Sequence, residues 1–213
     1  MAKTNAPLLS MGGAGQIGKT MVHASWRGVP YVRKYVMPAN PNTANQQKTR
    51  SVFSWLNAAW KLLAADAQAP WTANAAGRPY TNRNQWIKSN LPDLRSGTDL
   101  STLIGSPGAL GGLAPAAMSV DGGSGDITVT FTVPSLPTGW SIAKSVAVAF
   151  GAGDPHDSIS AVSHTATADA DPWTVTIDSL DAGDYEVAGW FEITRSDGRT
   201  AYGPSLSDTA TVS

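Results

Sequence analysis

The stretch Leu180-Asp181-Ala182-Gly183-Asp184-Tyr185-Glu186-Val187-Ala188-Gly189-Trp190-Phe191-Glu192-Ile193 decides the fold. A turn-forming run of Asp, Ala and Gly leads into a strand in which Tyr185, Val187, Phe191 and Ile193 recur with period two, so they share one face. Trp190 falls out of phase and is expected on the outward face. Working outward, Ile127, Val129, Phe131 and Val133 alternate with Thr and Asp. Val146, Val148 and Phe150 do the same, as do Trp173, Val175 and Ile177. Turn signals at Asp121–Gly125, Gly151–Pro155 and Ser196-Asp197-Gly198 separate these runs. Residues 114–213 therefore read as an all-β sandwich.

The segment from Leu180 to Tyr185 resembles the tyrosine corner of fibronectin type III domains. In that family a Leu and a Tyr bracket the turn, and the Tyr hydroxyl bonds back to the turn backbone. Val187–Ile193, the Asp197-Gly198 hairpin and Gly203-Pro204-Ser205-Leu206-Ser207 are similar to that family's last two strands. The resemblance implies a fibronectin III/Ig-like fold and carries no function with it.

Upstream the pattern changes. Residues 96–113, rich in Gly, Ser and Pro, read as a linker. Before it, Thr43-Ala44-Asn45-Gln46 has capping-box spacing, and Val52, Phe53, Leu56, Trp60 and Leu63 form one apolar helical stripe. Asp66 is expected to cap a second helix carrying Trp71, and Thr81 a third with Trp86 and Ile87 facing inward. Thr20–Trp26 and Val29–Met37, joined at Arg27-Gly28, read as a β-hairpin. Two strands bury no core of their own, so the hairpin must pack on something else. The expectation is an extended Gly-rich arm (1–20), an α+β hairpin-helix docking module (21–95), the linker (96–113) and the all-β sandwich (114–213).

Composition narrows the function. The 213 residues carry a net charge of −1, but residues 1–95 hold 12 of the 15 bases and only Asp66 and Asp93 as acids. That half is +10 and residues 96–213 are −11. Hydrophobic content of 42% with eight Trp is too rich for a disordered chain. No Cys means no disulfide framework and no thiolate metal site or nucleophile. The N-terminus lacks the apolar core of a signal peptide. The longest uncharged run, Leu103–Val120, is broken by Pro and Gly, so a soluble protein made in a cytoplasm is expected.

Gly13-Ala-Gly-Gln-Ile-Gly18-Lys19-Thr20 matches the phosphate-loop pattern G-x-x-x-x-G-K-[ST]. Its context argues against nucleotide binding, because the residues that follow are strand-like where that motif opens a helix. Asp154, His156 and Asp157, or Asp169 and Asp171, match no regular calcium loop and read as solvated turn groups. No nucleophile elbow or paired catalytic carboxylates are present. No catalytic, cofactor-binding or metal-binding residue is assigned, and a non-enzymatic protein is expected. The bases are spread over hairpin, helices and loops, which favours docking onto an acidic protein surface over nucleic acid. Trp26, Arg27, Tyr31, Arg33, Lys34, Tyr35 and Arg50 are the candidate partner-binding residues.

Residues 12–90 resemble a family of tailed-bacteriophage and prophage virion proteins. The resemblance rests on Gly15-Gln-Ile-Gly18, Gly28-Val-Pro-Tyr-Val-Arg33 and Pro38-Ala-Asn40-Pro41-Asn-Thr43. Gln46, Gln47, Arg50, Trp60-Lys-Leu-Leu, Asp66-Ala-Gln68, Trp71 and Asn84-Gln-Trp-Ile-Lys-Ser-Asn90 complete it. In the family the position of Lys19 is often Gly, and members often end in β-sandwich domains. It implies a virion structural protein, with a head decoration (cement) protein on the major capsid protein as first expectation. The implied partners are the major capsid protein or other virion proteins in a homo-oligomeric or lattice-bound state, with no membrane. The alternatives are a tail component, or a carbohydrate- or receptor-binding module using Trp140 and Trp190.

Overall fold

A computed structural model describes residues 3–4, 13–27, 29–97, 99–151 and 163–213 of the chain. Asp154, His156 and Asp157, discussed above as turn groups, lie outside the described residues, as does Gly28 of the hairpin turn. The protein is α+β. It divides into two compact units, Met1–Asn42 and Thr43–Ser213, so the division falls before the helices and not at residues 96–113.

The first unit is a four-stranded antiparallel sheet in the order β1-β2-β3-β4. Its strands are β1 (Lys3–Thr4), β2 (Gly13–Ile17), β3 (Met21–Trp26) and β4 (Val29–Lys34). The arm expected over residues 1–20 thus supplies two strands. Between β2 and β3, Gly18 (φ 53°) and Lys19 (φ 55°) both take the left-handed conformation, and the Thr20 N–H donates to the Ile17 carbonyl at 3.0 Å. Positive φ at both central residues is the hairpin turn whose twist matches the flanking strands.

The second unit begins with three helices. Thr43 caps α1 (Ala44–Leu62), its hydroxyl accepting from the Gln46 N–H at 3.4 Å, and Thr81 caps α3 (Asn82–Ser96) in the same way from Asn84 at 3.3 Å. α2 (Ala65–Ala75) starts at Ala64 with no side-chain cap; Asp66 lies in its first turn and pairs instead with Lys144 at 3.0 Å.

Two sheets follow. The smaller has the order β10-β7-β6, from β6 (Ala117–Gly122), β7 (Asp126–Thr132) and β10 (Thr174–Asp178). The larger has six strands in the order β5-β12-β11-β8-β9, with β13 also pairing with β11. These are β5 (Pro107–Ala109), β8 (Ser141–Gly151), β9 (Ser163–Ala168), β11 (Gly183–Thr194), β12 (Thr200–Pro204) and β13 (Leu206–Val212).

One core lies between the sheets, where Ile127, Val129 and Phe131 meet Ala147, Val187, Phe191 and Ile193. A second lies between the larger sheet and the helices. There Val146, Val148, Phe150 and Trp190 meet Val52, Leu56, Trp71 and Trp86. Trp86 sits edge-on to Trp71 at 5.3 Å between ring centroids and stacks on Phe150 at 6.2 Å. Both indoles keep their N–H groups satisfied: Trp71 donates to the Gly105 carbonyl at 2.8 Å and Trp86 to that of Leu56 at 3.2 Å.

This arrangement corrects three expectations. Residues 96–113 are not a bare linker, since Leu100 and Leu103 are buried in the helix–sheet core and β5 pairs with β12. Their glycines serve close approach: a Cβ on Gly105 would lie 2.6 Å from that of Ala188, and one on Gly112 2.1 Å from the Tyr202 backbone. Trp190 does not face outward; it is 0% exposed, because β11 is covered on both faces. On α1, Phe53 is 47% exposed while Trp55 and Ala59 join the buried stripe in its place.

Candidate docking surface

Pairing in the first unit fixes which side chains share a face. Residues directly opposite in an antiparallel ladder lie on the same side, and alternate residues lie on opposite sides. The pairs Val22↔Arg33, Ala24↔Tyr31 and Trp26↔Val29 therefore form one face of β3 and β4. Met21↔Lys34 and His23↔Val32 form the other, and β2 adds Ile17 opposite Met21. Tyr35 follows in the alternation of Arg33, its N–H bonded to the Thr20 carbonyl at 2.9 Å.

No described side chain from Gly15 to Asn42 is buried. Among the described residues, the large hydrophobic side chains left exposed are Met21, Trp26, Val29, Tyr31, Val32, Val36 and Met37 in this unit, against only Phe53, Leu62, Leu110 and Val133 in the other. Trp26 is 69% exposed. Scattered exposed apolar residues are ordinary; here Trp26, Val29 and Tyr31 share one face of the sheet, and Met21 and Val32 share the other. Residues 1–42 also contain five bases, Lys3, Lys19, Arg27, Arg33 and Lys34, and no acid.

The predicted partner-binding residues sort accordingly. Trp26, Tyr31 and Arg33 come together on one face, with Tyr35 beyond its end. The Arg27 guanidinium lies 5.8 Å from the Trp26 ring centroid, at the hairpin turn. Lys34 belongs to the opposite face. Arg50 is on α1 in the second unit. Val22, Arg33, Lys34, Tyr35, Val36 and Pro38 line a cavity of about 420 Å³ where the chain leaves β4. Val29, opposite Trp26, joins the Trp26 face although it is not among the predicted residues, and its place in the Val29–Met37 strand run is the signal for it.

The phosphate-loop pattern occupies β2 and the tight turn into β3, with Lys19 at the turn's second central position. A loop opening a helix, which that chemistry requires, is not what these residues build. Among the described residues no three His, Asp or Glu side chains are grouped to hold a metal ion. Nor is any described helix long and apolar enough to cross a membrane. The aromatics considered for glycan stacking are engaged elsewhere: Trp190 is buried, and the Arg195 guanidinium lies over Trp140 at 5.2 Å.

In the second unit one carboxyl stands apart. Glu186 on β11 is 6% exposed, and its pKa is pushed up to about 7 by burial, then by the nearby charges of Asp99 and Asp208. On the outer side of the smaller sheet, Asp126 lies directly opposite Asp178. Like charges so placed repel, and they leave that end of the sheet strongly acidic.

The chain matches no family model and no curated protein. Solved structures similar to part of it include a myokine structure (12% identity, 48% of this chain and 99% of that chain, TM-score 0.32). Others are a family 76 glycoside hydrolase from a bovine Bacteroides thetaiotaomicron strain (16%, 47% and 20%, TM-score 0.30) and CopC from Methylosinus trichosporium OB3b (20%, 47% and 92%, TM-score 0.26).

Proposed function

We propose that this is a non-enzymatic structural protein of a tailed-bacteriophage virion, which uses its N-terminal sheet to dock onto other virion proteins. The observation that carries the docking role is the first unit itself: a sheet with no buried described side chain, a concentration of exposed apolar residues, and five bases with no acid among residues 1–42. Three or more strands need a covered apolar face for stability, so such a sheet finds its cover in a partner. The virion setting is supported by the resemblance of residues 12–90 to phage virion proteins.

Within this reading the protein decorates the head, gripping the shell through residues 1–42 and projecting the acidic second unit outward. All 16 acids of the chain lie in that second unit, where like charge keeps neighbouring copies apart. Its two-sheet part is a fibronectin III/Ig-like sandwich. Support comes from the Tyr185 hydroxyl donating to the Asp181 carbonyl at 3.0 Å across the turn, as a tyrosine corner does. The second reading is a tail component, which the same docking sheet serves equally well.

Mass spectrometry of purified particles and electron microscopy of particles lacking the protein test this. Its presence in particles, together with heads weakened by its loss, is the expected result. Normal heads with defective tails would replace decoration with the tail reading, and absence from particles would remove the virion reading.

A further inference from the structure

We propose that the docking face is the side of the N-terminal sheet carrying Trp26, Val29, Tyr31 and Arg33, and that its occupant is a protein segment in which carboxylates alternate with apolar side chains. This rests on the docking role proposed above and specifies which face acts and what it receives. The face combines Trp, Tyr and Arg, the side chains that dominate interface energetics, with the smaller apolar Val22, Ala24 and Val29 between them. Tyr35 and the cavity beside Arg33 extend it at one end. The opposite face, with Met21, His23, Val32 and Lys34, lacks both the indole and the guanidinium.

The chemistry of the occupant follows from what this unit lacks. Arg33 and Arg27 have no carboxylate within residues 1–42, so counter-charge comes from outside. A second copy of the sheet is a poor occupant, because it would add five more bases and no acid. A polynucleotide would answer the bases and find Trp26 and Tyr31 to stack on, but its phosphates and sugars would leave the aliphatic Val22, Ala24 and Val29 between them without apolar contact. A protein segment supplies both carboxylates and apolar contact. Arg33 suits bidentate pairing with a carboxylate, and the adjacent cavity takes a neighbouring apolar side chain.

Binding of the full-length protein to a random copolymer of glutamate and tyrosine, to polyglutamate and to duplex DNA tests the inference. The copolymer is expected to bind most tightly, with affinity falling as salt rises. Arg33→Glu and Tyr31→Ala are each expected to weaken it about tenfold or more, whereas Lys19→Glu, the same change of charge at the β2–β3 turn, and Val32→Ala, on the other face, each cost less than about threefold. Arg33→Gln, which removes the charge without reversing it, guards against a folding defect and is expected to weaken binding as well. Equal losses from Arg33→Glu and Lys19→Glu, or from Tyr31→Ala and Val32→Ala, or tighter binding to DNA than to the copolymer, would overturn the inference. Neither result depends on finding the protein in particles, so this inference and the virion reading fail separately.

Discussion

Two indoles in one chain have opposite fates. Trp86 is fully buried among Trp60, Trp71 and Phe150, with its N–H bonded to a backbone carbonyl. Trp26 stands 69% exposed at a hairpin turn beside Arg27. The same contrast separates the two units. Residues 43–213 enclose two cores, and neither includes any described residue from 1–42. In the first unit no described side chain from Gly15 to Asn42 is buried. Burial supplies the reason for folding in the second unit, whereas the first leaves Trp26, Val29 and Tyr31 exposed on one face.

The largest effect should come from Trp86→Ala, which removes the ring at the centre of the helix–sheet core. It is expected to cost about 3–5 kcal/mol in denaturant unfolding, enough to lose cooperative folding in a marginally stable protein. A cost below about 1 kcal/mol would mean the second unit is not held together as described.

Titration of Glu186 comes next. The folded protein keeps this proton up to about pH 7, while the unfolded chain releases it near the ordinary value of 4.5. Its contribution to stability is therefore complete below pH 4.5 and is lost as pH rises through about 7. The loss is at most about 3 kcal/mol, and Glu186→Gln should flatten the dependence in unfolding measured from pH 5 to 8. An unchanged slope in the variant would assign the dependence to other groups.

Gly189→Ala probes how closely the two sheets approach. A Cβ there would lie 2.4 Å from the Phe131 ring and 2.8 Å from the Met118 sulfur. The expected penalty is about 1–3 kcal/mol, read as a lowered melting temperature.

The smallest effect should follow the largest change. Removing residues 1–42 altogether is expected to change the unfolding free energy of the remainder by no more than about 0.5 kcal/mol, as for surface changes away from any core. It should also abolish docking. A large drop in stability would erase the contrast between the units.

Much of the second unit was legible in the sequence because its signals are local. The Thr43 and Thr81 caps, the alternation of Ile127, Val129 and Phe131, and the turn before Tyr185 each depend on spacings of two to four residues. What failed depended on a third layer. Alternation distinguishes inside from outside only when one face of a strand meets water, and β11 has no such face, so Trp190 was assigned to the wrong environment. Glycine in residues 96–113 reads locally as freedom, but at Gly105 and Gly112 it permits close packing, a distinction made by residues about 80–90 positions away. For the docking surface, the aromatic and basic residues could be named from the sequence. Which of them share a face awaited the β3–β4 register, which separates Arg33 from its neighbour Lys34.

The burial of β11 on both sides also governs how the chain can be divided. A fragment beginning at residue 114 would lose β5 from the larger sheet and strip the helices from Val146, Val148, Phe150, Ala188 and Trp190. Such a fragment would present a hydrophobic plate to solvent and tend to precipitate or self-associate. In any rearrangement by recombination, the movable piece is 43–213. The seam around residue 42 can be cut and rejoined, whereas the Gly- and Ser-rich stretch after α3, for all its appearance of slack, is a weld.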